Sequence, residues 1–106
     1  MKLTTLSAFT GGWFLGDFEP SLNRQGNFEV CIKRYDQGVR EPSHSQIRAT
    51  EWTAIISGTC RIGQHLLGPD DILEIGPGEI ADFEALTDVV LVAVKSPSVP
   101  EDKVLA

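Results

Sequence analysis

Hydrophobic and polar positions alternate along most of this chain with a period of two. Successive side chains of an extended strand point to opposite faces, so this period predicts half-buried β-strands. Residues 27–34 show it best: Phe28, Val30 and Ile32 face one way, and Asn27, Glu29 and Lys33 face the other. Asp36-Gln37-Gly38 then supplies a turn. Residues 51–57 form the next strong strand, which Gly58 ends. Residues 59–62 and 64–67 flank Gly63 and predict a tight hairpin. Gly68-Pro69-Asp70 turns the chain into a strand over residues 71–75, and Gly76-Pro77-Gly78 breaks it again. Residues 80–85 and 89–95 complete the series. Residues 89–94 are apolar at both parities, which places that strand deep between layers. No helical stripe exceeds about two turns. Many short strands separated by Gly/Pro turns predict an all-β sandwich or barrel.

The flanks are less regular. Residues 1–26 read as an N-terminal arm with short strand character, in which Trp13 and Phe14 sit between Gly12 and Gly16 and pack on the barrel or on a neighbouring subunit. Residues 27–95 form the barrel core, and residues 96–106, with Pro97 and Pro100, form an extended, mobile tail. The 106 residues make one domain. A chain of this size buries only roughly 60–70% of the surface its unfolded form exposes, so a homodimer, which buries more, is expected.

Charge narrows the partners. The net charge of −6 repels phosphate backbones and anionic lipids, and no Lys/Arg cluster offsets it, so neither nucleic acid nor membrane is an expected partner. No apolar run approaches the roughly 20 residues needed to cross a bilayer. Residues 1–11 carry one lysine and no long apolar block, unlike a signal peptide. Cys31 and Cys60 are the only cysteines and have no zinc-type spacing, which fits two buried or half-buried thiols and a cytoplasmic location.

One stretch goes beyond generic β-structure. Gly38 is followed by five residues and His44, then by one residue and Gln46, four residues and Glu51, and six residues and Gly58. This resembles the first cupin motif, G-x5-H-x-H-x(3,4)-E-x6-G, with Gln46 in place of the second His. A second motif, G-x5-P-x-G-x2-H-x3-N, survives only as a remnant: aligned on Gly78, it has Asp70 for its first Gly, Gly76 for Pro, Ala81 for His and Ala85 for Asn. The chain also resembles a group of small bacterial cupin-domain proteins. The resemblance lies in Gly12-Trp13-Phe14, Gly16 to Ser21, Gly76 to Glu79 with Asp82 to Leu86, and Val94 to Pro100 with Asp102-Lys103. It implies the cupin double-stranded β-helix, a jelly-roll barrel of the RmlC-like kind, and brings no particular reaction with it.

Within that barrel His44 and Gln46, two residues apart on a strand, share the inner face. Glu51 on the next strand joins them, with Thr53, Ala81 and Phe83 completing the expected pocket. Such nitrogen and oxygen donors suit Fe, Mn, Ni or Zn. Here His44 offers an imidazole, Glu51 a carboxylate and Gln46 only a weak amide oxygen, while Ala81 offers nothing. Asp82 has the wrong parity to replace the lost His, and Glu79 would have to reach back from a turn. The expectation is therefore no cofactor, or a weakly held divalent metal on His44, Gln46 and Glu51. An inward Glu51 needs a partner. His44 is the obvious one, with Arg40 or Arg48 as alternatives, and a His44–Glu51 couple is either acid/base machinery or a polar remnant.

Three functions compete. The favoured one is a binding module that holds a small apolar or carbohydrate-like molecule. The second is an enzyme, either a metal-dependent oxygenase or isomerase, or a metal-free sugar epimerase or isomerase, with His44 and Glu51 as its catalytic residues. The third is a structural or regulatory interaction protein that uses the outward face around Trp52.

Overall fold

The computed structural model describes residues 1–106, and nearly all of its regular structure is strand. Two short 3-10 turns, Leu6–Ala8 and Thr10–Gly12, lead into ten strands. These are β1 (Trp13–Leu15), β2 (Glu29–Tyr35), β3 (Arg40–Gln46), β4 (Thr50–Ser57), β5 (Cys60–Ile62), β6 (His65–Leu67), β7 (Ile72–Ile75), β8 (Ala81–Ala85), β9 (Val89–Ser96) and β10 (Lys103–Leu105). They form two five-stranded antiparallel sheets in the orders β1-β2-β9-β4-β7 and β10-β3-β8-β5-β6. No helix is long and apolar enough to cross a membrane.

Register decides which residues meet inside. In the first sheet Glu29 lies opposite Lys95, which in turn lies opposite Glu51. The next inward row is Trp13, Cys31, Ala93, Thr53 and Leu73, and the one after it is Lys33, Leu91 and Ile55. Val30, Ile32, Val92 and Val94 therefore lie on the outer face, with Trp52 and Ile56 of β4. The central strand β9 thus buries Val89, Leu91 and Ala93 and leaves its remaining valines half-buried outside.

The core sits at one end of the space between the sheets. Ile55, Val89 and Leu91 of the first sheet meet Cys60, Ile62, Leu67, Phe83 and Ala85 of the second. Tyr35 closes this end, its ring centroid 4.5 Å from that of Phe83. Gly58 shows why the motif keeps a glycine there. Its φ is +84°, and a Cβ would strike the Asp88 carbonyl oxygen, so the turn admits no side chain.

The tail is paired as well as extended: β10 lies against β3, opposite Gln46, Ser45 and His44. Ser98 and Asp102 anchor it and are buried. The Asp102 carboxylate accepts hydrogen bonds from the Arg48 and Ala49 backbone N–H groups, both at 2.9 Å. A short polar side chain that ties down a turn in this way leaves no compositional trace in a Pro-containing tail.

Candidate functional site

Between the sheets, next to the core and partly walled by its Ile62, Phe83 and Leu91, lies a cavity of about 480 Å³. Its wall includes His44, Gln46, Glu51, Thr53, Ala81 and Phe83, all from the motif region. It also includes residues that the motifs do not name: Glu29, Cys31, Lys33 and Tyr35 from β2, Lys95 from β9, Trp13 from β1, and the tail over Ser98 to Lys103. Their signal lay in parity. Lys95 shares the inward face of Leu91 and Ala93, and Glu29, Lys33 and Tyr35 share that of Cys31.

Glu51 is the best-connected group of the mouth. Thr53 donates its hydroxyl to Glu51 Oε2 at 2.7 Å, and Gln46 Nε2 donates to Oε1 at 3.4 Å. Lys95 Nζ stands 3.9 Å from the same Oε1. His44, expected as the partner of Glu51, makes no bond to it. Its Nδ1 lies 3.2 Å from the Pro42 carbonyl instead. The reason is register: Lys95 is directly opposite Glu51, and Gln46 rather than His44 is the β3 residue that reaches across. Arg40 is likewise occupied elsewhere, by Glu84 at 2.9 Å. A carbonyl only accepts, so His44 Nδ1 is the donor in this contact.

The other carboxyl groups are also engaged. Burial raises the Glu29 carboxyl above its usual range against the opposing pull of Lys95 and a bond from Ser98. Tyr35 donates its hydroxyl to Glu41 Oε1 at 2.9 Å, and burial first and that carboxylate second push the phenol up. Asp82, as its parity requires, turns to Arg61, which binds it through two nitrogens and holds it below the ordinary carboxylate value. Glu79 accepts a bond from the Gly76 N–H within its own turn. The Cys31 thiol is pushed up to about 12 by burial and remains neutral.

These residues do not fit a metal. No three His, Cys, Asp or Glu side chains converge anywhere in the chain. The Glu51 carboxylate already carries a hydroxyl, an amide and an adjacent ammonium, and a divalent ion there would meet the positive charge of Lys95. The arrangement offers hydrogen-bond donors, acceptors and one imidazole in a partly apolar chamber.

No protein-family model and no curated protein sequence matches the chain. Solved structures do. A conserved protein with a double-stranded β-helix domain from Klebsiella pneumoniae superposes with a TM-score of 0.70 at 20% identity, over 77% of this chain and 72% of that one. Oxalate decarboxylase from Bacillus subtilis gives 0.67 at 17% identity, over 76% of this chain and 24% of that one. A cupin protein from Bacteroides fragilis gives 0.59 at 20% identity, over 72% of this chain and 70% of that one. The fold is the cupin double-stranded β-helix.

Proposed function

We propose that this cupin-fold chain binds a small molecule in the cavity between its sheets. The observation that carries the reading is the chamber itself. Its volume of about 480 Å³ lies within the range of ligand sites, and its wall joins apolar Ile62, Ile75, Phe83 and Leu91 to the polar row Glu29, Lys95 and Glu51. Such a site desolvates the body of a ligand and orients it with a few fixed polar groups. The free, buried thiols of Cys31 and Cys60 support a cytoplasmic setting.

A second, enzymatic reading rests on His44. His44 lines the chamber, and with Nδ1 engaged by the Pro42 carbonyl its Nε2 would serve as a metal-independent general base. Fold alone does not select between the two readings, because one fold hosts many activities.

Thermal unfolding across a panel of metabolites tests the proposal. A true ligand at about 100 times its Kd stabilises the fold by roughly 2.7 kcal/mol. Ala81→Phe, which puts a ring into the chamber from a half-buried wall position, should abolish that shift while keeping the strand signal. An equal shift in Ala81→Phe would place the ligand elsewhere and remove the proposal. Turnover of the bound molecule that disappears in His44→Gln would establish the second reading, and binding without turnover would establish the first.

A further inference from the structure

The charged groups of the chamber are not equally satisfied, and the imbalance points to a ligand class. Each inward carboxylate of the motif region accepts a hydrogen bond: Glu51 from Thr53 and Gln46, and Glu41 from Tyr35. Asp102 accepts two from backbone N–H groups. The lysines differ. Lys33 has no carboxylate within ion-pair distance, and its ammonium stands 5.8 Å from the Trp13 ring centroid. The Lys95 ammonium stands 4.9 Å from the same centroid; the nearest carboxylate, that of Glu51, is 3.9 Å away, too far for a hydrogen bond, and Glu29 lies opposite Lys95 in register.

Lys95 is the sharper case. Its side chain is only 13% exposed, and its ammonium donates no hydrogen bond within the protein. No sealed polar side-chain atom lacks a partner anywhere in the chain. The ammonium is therefore not sealed from solvent, and Lys95 lines the chamber. Register sets the two lysines in the rows on either side of Trp13, whose ring lies within about 6 Å of both ammonium groups. Beyond them the wall is apolar, formed by Ile75, Leu91 and Phe83.

We propose that the chamber takes a small organic anion, with a carboxylate or phosphate between Lys33 and Lys95 beside Trp13 and an apolar body against Ile75, Leu91 and Phe83. This rests on the cavity reading above and specifies its ligand. A charged acceptor completes the ammonium donors in a partly desolvated site, where charge-assisted bonds are strongest. A neutral ligand of the same shape leaves them unmet.

The test is an NMR titration of the full chain with three probes that share a ring: benzoate, phenyl phosphate and benzyl alcohol. Both anions should shift the Trp13 indole N–H and the Lys33 and Lys95 amides, and the better of them should bind about tenfold or more tightly than the alcohol. Whichever anion binds better identifies the head group as carboxylate or phosphate. Lys33→Gln and Lys95→Gln should each weaken the better anion by about tenfold and leave the alcohol unchanged. Should Lys95→Gln fail to fold, because Glu51 loses its neighbouring charge, Lys33→Gln alone carries the test. Equal binding of alcohol and anions, or anion binding indifferent to the lysine substitutions, overturns this inference while the cavity reading stands. If no probe moves a chamber resonance, both fall.

Discussion

The two ends of the space between the sheets are built on opposite principles. At the closed end, Ile55, Val89, Cys60 and Ala85 belong to one apolar cluster, whose Leu91 and Phe83 also line the chamber, so cohesion is shared. At the open end, Gln46, Thr53 and Lys95 gather on Glu51 through individual polar contacts, and Asp102 is held by two backbone N–H groups. The closed end is suited to holding the fold together, and the open end to recognising a ligand. The same strands serve both, since β2, β4 and β9 each run from one environment to the other.

The contrast is broken most severely at the closed end. Phe83→Ala removes a ring buried against Tyr35 and should cost about 3–5 kcal/mol in denaturant unfolding. A loss below about 1 kcal/mol would show that the core is less cohesive than its packing indicates. At the open end, Asp102→Ala leaves the Arg48 and Ala49 N–H groups without their acceptor and should cost about 1–3 kcal/mol. Its sharper signature is local: hydrogen exchange at Arg48 and Ala49 should accelerate while exchange in β4 and β9 remains unchanged.

The smallest effect sharpens the comparison through pH. Burial raises the Glu29 carboxyl in the folded chain, so the folded state holds its proton at pH values where the unfolded state has released it. Its contribution to stability is therefore complete below the unfolded glutamate value of about 4.3 and falls as pH rises through the raised folded value. Glu29→Gln should flatten the decline of stability with pH in that window. An unchanged pH profile would mean that the Lys95 charge already cancels the cost of burial.

The alternating pattern made the strands legible, because parity is set by the extended backbone itself. It marked β4 correctly down to the side chains: Thr53 and Ile55 are buried, and Trp52 and Ile56 point outward. Alternation separates two faces without saying which one looks inward. In β2 the more polar face, Glu29, Cys31, Lys33 and Tyr35, looks into the barrel, because the interior holds a polar chamber as well as a core. The motif spacing located His44, Gln46, Glu51, Thr53, Ala81 and Phe83 on the chamber wall. It could not supply Lys95 as the neighbour of Glu51, since that depends on the pairing of strands distant in sequence. Nor could it reveal the anchoring of Asp102, which joins residues more than fifty positions apart.

The rim of the chamber is stitched across the chain. Asp17 donates its backbone N–H to Ser98 Oγ across 81 positions of sequence, and Asp102 clasps the β3–β4 turn across more than fifty. Closures over such spans come at a high entropic cost before any contact rewards them. The portal exists only once the segments around Asp17 and Asp102 have docked, so a ligand held there would act as a selective stabiliser of the completed molecule.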